Sequence, residues 1–167
     1  MDEAFATISF TDTIVGPGQK PGVDVPILNH SAETKGGWGG PHPTHSAYEM
    51  ILLDKNGEAM VGGNGTYTVT TEEPPVDAFW SITVYDTDRN GFFHPNTDDR
   101  YHINNTSAIR NGDGTITFLF KVDCKTSDEN CLEVPVGQFD LTARYYLPQE
   151  KIITGDWTLP KVELAVD

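Results

Sequence analysis

Between residues 78 and 85 two complementary series of side chains alternate. Ala78, Trp80, Ile82 and Val84 fall on one face of an extended chain and Phe79, Ser81, Thr83 and Tyr85 on the other, the period of two that belongs to a β-strand. Pro74-Pro75 precede the stretch and an Asp/Asn/Gly cluster follows it, so the strand runs between two turns. The same period recurs twice. Ile116, Phe118, Phe120 and Val122 alternate with Thr115, Thr117, Leu119 and Lys121, and Phe139, Leu141, Ala143 and Tyr145 oppose Asp140, Thr142, Arg144 and Tyr146. Each predicts a strand with one buried face.

Asn-Gly, the strongest short hairpin signal, occurs at 56–57, 64–65, 90–91 and 111–112, each beside a segment rich in β-branched or aromatic residues. The spacing predicts strands at 6–11, 47–53, 66–71, 78–85, 101–103, 115–122, 138–146 and 162–166. Eight short strands with little helical periodicity predict an all-β antiparallel β-sandwich. The beginning of the chain differs. Gly16-Pro17-Gly18, Pro21-Gly22 and the Gly/Pro-rich run from Gly36 to Pro43 break regular structure, so residues 1–45 are expected to form an extended arm and residues 46–167 a single sandwich domain.

A chain of 167 residues is long enough to bury roughly 70% of its unfolded surface without a metal or disulfide. Its 25 acidic residues against 11 Lys and Arg leave a formal charge of −14, which repels polyphosphate and anionic lipid and argues against nucleic acid or membrane partners. Met1-Asp2-Glu3-Ala4-Phe5 lacks a basic and then apolar signal segment, and no apolar run approaches the roughly 20 residues needed to cross a bilayer. The expectation is a soluble protein, with a virion or an extracellular setting as compartments that suit this composition. Cys124 and Cys131 bracket six residues. A bond between them would stabilise by about 2–3 kcal/mol in the chain-entropy picture, but two reduced thiols at a loop edge are the favoured expectation for a lone pair.

Several of these positions together carry a family likeness. Tyr48, the turn Asp54-Lys55-Asn56-Gly57, the block from Pro74 to Asp86, Arg100-Tyr101, Asp113-Gly114, Arg144, Trp157 and Pro160 make residues 46–162 resemble the domain of unknown function 1214 family. That family is usually seen as the C-terminal half of two-domain proteins, so this chain reads as a stand-alone copy. The resemblance implies a jelly-roll-like sandwich and no established reaction. Where the family usually has Asn-Trp-Leu-Pro-x-Pro, this sequence has Asn130-Cys131-Leu132-Glu133-Val134-Pro135, which leaves the local packing without its Trp and one Pro.

Four constellations could carry chemistry. Asp86, Asp88 and Asn90, followed by Gly91, have the first-half spacing of a calcium loop; the twelfth position is Thr97 instead of Glu, with Asp98 near enough to substitute. A plain polar turn is the competing expectation, so no cofactor is required and calcium is the one weighed. His42 and His45, followed by Glu49, could in principle bind zinc, but Pro41 and Pro43 forbid the helix on which such pairs usually ride. Arg100, Tyr101, His102 and Arg144 could line a groove with Arg144 as an anion anchor. Trp38, among four glycines, together with His42 and His45, is a candidate contact for a partner protein or a second copy.

No nucleophile elbow, phosphate loop, dinucleotide fingerprint or Cys-x-x-Cys pair is present. The leading expectation is a non-enzymatic binding or structural module, an accessory subunit of a larger assembly such as a virus particle, with a protein or glycan partner. The alternatives are a small enzyme or lectin-like domain for carbohydrate or an anionic metabolite, and a calcium-stabilised scaffold.

Overall fold

The three period-two segments become strands, two of them the longest among the described residues. A computed structural model describes residues 42–96, 98–125 and 127–165. Within them lie β1 (Ser46–Ile51), β2 (Tyr67–Thr71), β3 (Val76–Asp86), β4 (His102–Asn104), β5 (Ile116–Lys121), β6 (Cys131–Glu133), β7 (Phe139–Pro148), the four-residue helix α1 (Glu150–Ile153) and β8 (Glu163–Leu164). The second of the chain's two units, Tyr48–Asp167, holds all of these elements except the first two residues of β1.

The strands form two four-stranded sheets, ordered β1-β7-β3-β4 and β6-β5-β2-β8, and neither closes into a barrel. β3 and β7 run antiparallel, in register from Phe79 opposite Tyr146 to Asp86 opposite Phe139, after an irregularity between Val76 and Phe79. In the second sheet β5 is antiparallel to β2, with Phe118 opposite Val69.

The sheets pack face to face through the apolar series of each strand. Trp80 of β3 meets Phe118 of β5 edge-to-face at 5.9 Å, and Tyr67 of β2 meets Phe139 of β7 at 5.4 Å. Ile82, Ile116, Phe120 and Leu141 fill the space between. Burial of each such side chain stabilises by about 1.5–3 kcal/mol, so these alternating positions are the main source of the fold's stability. Trp80 places its one polar atom at the rim, where Nε1 donates to Glu73 Oε1 at 2.7 Å.

Seven predicted strands correspond to observed ones, with ends shifted by a few residues; the eighth, at 6–11, and residues 1–41 of the predicted arm lie outside the described residues. Two expectations require correction. The sandwich is not wholly antiparallel, because β6, unforeseen, runs parallel to β5 with Leu132 opposite Phe120. Three residues flanked by loops carry too little periodicity to announce a strand, and the pairing is made by a long-range contact.

The cysteines are also joined, not reduced: Cys124 and Cys131 form a disulfide that ties β6 to the end of β5. Cys131, Leu132 and Val134 are all buried, so the segment that departs from the family pattern is packed without its Trp. Gly62 lies so close to the Pro135 carbonyl that a side chain there would displace backbone, which is why glycine occupies that turn.

Asn130 fastens the same corner. Its backbone is left-handed, with φ 48°, a conformation that Asn tolerates better than most residues. The buried side chain accepts from Ile109 N at 2.8 Å and donates to Ile109 O at 2.7 Å and Thr117 O at 3.1 Å.

Two outcomes follow for equilibrium unfolding in urea. Asn130→Ala is expected to lower stability by about 2–4 kcal/mol, since it removes several bonds and leaves partly buried groups unpaired. Reduction of the disulfide is expected to lower it by about 2–3 kcal/mol through release of the short loop, and an unchanged midpoint under reductant would contradict that account.

Candidate functional site

The register that buries Trp80, Ile82 and Val84 sends the intervening residues of β3 and β7 to the opposite face of the sheet. Phe79 lies opposite Tyr146, Ser81 opposite Arg144, Thr83 opposite Thr142 and Tyr85 opposite Asp140. β4 adds His102 opposite Thr83. A sheet face turned to solvent is normally polar. Here Ser81 and Thr83 are buried, and large aromatic rings are exposed beside them. Tyr48 is 50% exposed, Phe79 44% and Phe93 47%.

The rings are held in order by one another. Phe79 stacks on Tyr146 at 4.2 Å, and Phe93 stacks between Tyr85 at 5.4 Å and Tyr101 at 4.9 Å. Arg144 lies among them. Its Nη1 donates to Thr83 Oγ1 at 3.1 Å and its Nη2 to Tyr85 Oη at 2.6 Å. The guanidinium carbon is 5.9 Å from the Tyr48 ring centre and 5.6 Å from that of Tyr85, so the cation is cushioned by π-faces.

Proton affinities on this face follow from its desolvation. Burial raises the Tyr146 phenol above its ordinary value, Tyr48 adds to the effect, and the charge of Arg144 works against it. Tyr101 is raised as well, chiefly because its hydroxyl donates to Asp99 at 2.9 Å. At these affinities both rings are neutral near pH 7.

The predicted groove is divided. Arg100 and His102 line a cavity of about 200 Å³ at the β4 edge with Ser107, Asp128 and Asn130, and Arg144 is not part of its wall. Tyr101 reaches Arg144 only through Phe93 and Tyr85. The proposed calcium ligands point different ways. Asp86 turns into the core, where Oδ2 meets His94 Nδ1 at 3.3 Å and Oδ1 has no hydrogen-bond partner. Asp88 packs against Gly137, where any side chain would collide with it; Asn90 closes the turn in the left-handed region, and Asp98 is exposed on a loop. Among the described residues no three metal-ligating side chains come together.

Trp38 lies outside the described residues. His42 and His45 occupy the turn before β1, their rings 6.2 Å apart, with His42 Nδ1 bonded to Thr44 Oγ1 at 2.8 Å. Sequence reading singled out Arg144 and Tyr101 but passed over Tyr48, Phe79 and Phe93. The signal for Phe79 was present in the alternation of β3, which places Phe79 and Tyr85 together on the face not needed for the core.

The fold and this face define a two-sheet β domain with an aromatic surface organised around one arginine. Residues 45–150 match the family described as "Protein of unknown function (DUF1214)", and the chain belongs to that family. The VPA0106 protein from Vibrio parahaemolyticus has a similar fold, with a TM-score of 0.81 at 24% identity over 99% of this chain. The chain spans 41% of that protein's length. A putative uncharacterized protein from Burkholderia cenocepacia is more distant, with a TM-score of 0.45 and 14% identity over 73% of this chain and 29% of the other. No curated protein matches the sequence. Among the described residues no helix is long and apolar enough to cross a membrane.

Asp140 gives this face a pH signature. Burial raises its carboxyl above the ordinary range, a hydrogen bond with Thr87 opposes the shift, and Oδ1 has no partner. The folded chain therefore holds that proton more tightly than the unfolded one. The resulting penalty is full above the folded-state pKa and fades as pH falls through it. Asp140→Asn is expected to raise the melting temperature at neutral pH, with a gain that shrinks toward about pH 4. Thermal melts across that range check it, and a gain independent of pH would rule out ionisation as the cause.

Proposed function

We propose that this domain is a non-enzymatic binding module, a jelly-roll-like sandwich that holds a carbohydrate chain on the outer face of the β1-β7-β3-β4 sheet. The observation that carries the reading is the pair of exposed rings of Tyr48 and Phe79 on the sheet surface, with Phe79 held by stacking on Tyr146. A pyranose presents an apolar, weakly electropositive face of C–H bonds, which suits the negative π-face of an aromatic ring. Its equatorial hydroxyls need donors and acceptors at the margins, and Thr142 lies on the same face.

A protein occupant has one observation in its favour. The chain spans less than half of the Vibrio protein, and an exposed apolar face is what a further domain or partner would cover. The net charge of −14 disfavours a nucleic acid on this surface. The virus-particle setting finds no support in the family or in the fold.

Native gel electrophoresis through a panel of soluble neutral polysaccharides tests the proposal. Retardation by at least one polysaccharide is expected, weakened about two- to tenfold by each of Phe79→Ala and Tyr48→Ala with folding preserved by circular dichroism. Free migration through every gel, with light scattering showing an oligomer that the same substitutions dissociate, would replace the glycan with a protein partner.

A further inference from the structure

Arg144 stands out in a chain where acids outnumber bases more than two to one. Among the described residues its side-chain hydrogen bonds go to two neutral hydroxyls alone, those of Thr83 and Tyr85, and no carboxylate lies within ion-pair distance of it. Lys55, Arg110 and Lys121 are paired with Glu163, Glu73 and Asp128, and the bases that have no ion pair among the described residues, Arg89, Arg100, Lys125, Lys151 and Lys161, are all exposed, whereas Arg144 is half-buried. A guanidinium carries five N–H donors in a fixed fork, so two bonds leave three donors for something else.

The two hydroxyls and the flanking rings of Tyr48 and Tyr85 also limit how the side chain can turn. A half-buried, oriented and unpaired cation on a binding surface is a preorganised anion receptor. The half-burial strengthens a charge-assisted bond relative to one in bulk water.

The charge of the whole chain narrows the class of anion. A net −14 repels a ligand with closely spaced negative charges, whereas one carboxylate on an otherwise neutral molecule meets little of that repulsion. A planar carboxylate also matches the guanidinium fork bidentately. Asp140 does not occupy the role, since it lies four residues along β7, and Asp99 is engaged by Tyr101.

Resting on the carbohydrate reading, we infer that the outer sheet face selects an acidic sugar, one bearing a single isolated carboxylate that the Arg144 fork grips while Tyr48 and its neighbouring rings receive the sugar ring. Uronic acid residues spaced along a neutral glycan have this chemistry. Densely charged polyanions do not.

The test is a titration of the ¹⁵N-labelled full chain with glucuronate and glucose, and with galacturonate and galactose, followed at the Arg144 Nε–Hε signal and at the amides of Phe79 and Tyr146. Sodium acetate at equal concentration is the control. Each uronate is expected to bind about tenfold or more tightly than its neutral partner, as hydrogen bonds to a charged group imply. It is expected to move the arginine and aromatic signals together, and Arg144→Gln to remove the difference between paired sugars.

If uronates and neutral sugars bind equally to the face, the acidic selection fails and the carbohydrate platform stands. If acetate reproduces the uronate response, Arg144 is a general anion site and the inference falls. If no sugar perturbs the face, both readings fall together. The comparison of sugar pairs uses the unaltered protein, so it decides the matter even where Arg144→Gln does not fold.

Discussion

The pairing of β3 with β7 is the constraint on which everything else depends. In an extended strand a slip of one residue exchanges the two faces. Such a slip would expose Trp80, Ile82 and Val84 and would push Arg144 into the core, where an unpaired charge costs several kcal/mol. Core and candidate site are therefore two consequences of one register. The apolar series specifies it energetically, and the outer series inherits its geometry. The irregularity between Val76 and Phe79 falls just before the aromatic pair Phe79 and Tyr146, so regular pairing begins where the exposed platform begins.

Exposed aromatic surface is a liability that this chain manages in two ways. The rings stack on one another and on Arg144, so that each presents less apolar area to water than it would alone. Mutual repulsion at a net charge of −14 also discourages chance association through that face. A surface so arranged is compatible with solubility and with a ligand that covers rings without requiring a large complementary protein patch.

The family likeness is best understood at the place where the sequence departs from it. Asn130 keeps the family residue and uses both polar atoms of its side chain to fasten the chain between Ile109 and Thr117. Cys131 stands where Trp is usual. The space is handled differently here: a short parallel strand lies against β5, and the disulfide to Cys124 holds it. The corner beside the β4 cavity is thus stabilised by covalent and polar means where bulk packing has been given up. Similarity to the Vibrio protein extends over nearly the whole chain and concerns the fold alone.

Strand positions, the two alternating series of each long strand, and the turns at Asn-Gly were legible in the sequence, because a period of two and turn chemistry are local properties, although in β3 Ala78 is exposed and Ser81 and Thr83 are buried. Phe79, Tyr85, Arg144 and Tyr146 were thereby already assigned to the faces they occupy. Local pattern could not show that Arg144 would lie against Tyr85 and Tyr48, that Phe93 would return from a loop to stack between two tyrosines, or that Arg100 and His102 would turn to a separate cavity. Each depends on which strands become neighbours. The parallel strand β6 and the closed disulfide belong to the same class, since both arise when a short loop meets β5. Sequence alone determined an all-β chain with two-faced strands; tertiary structure decided which outer faces would merge into one surface, because strand order and register are set by the core as a whole.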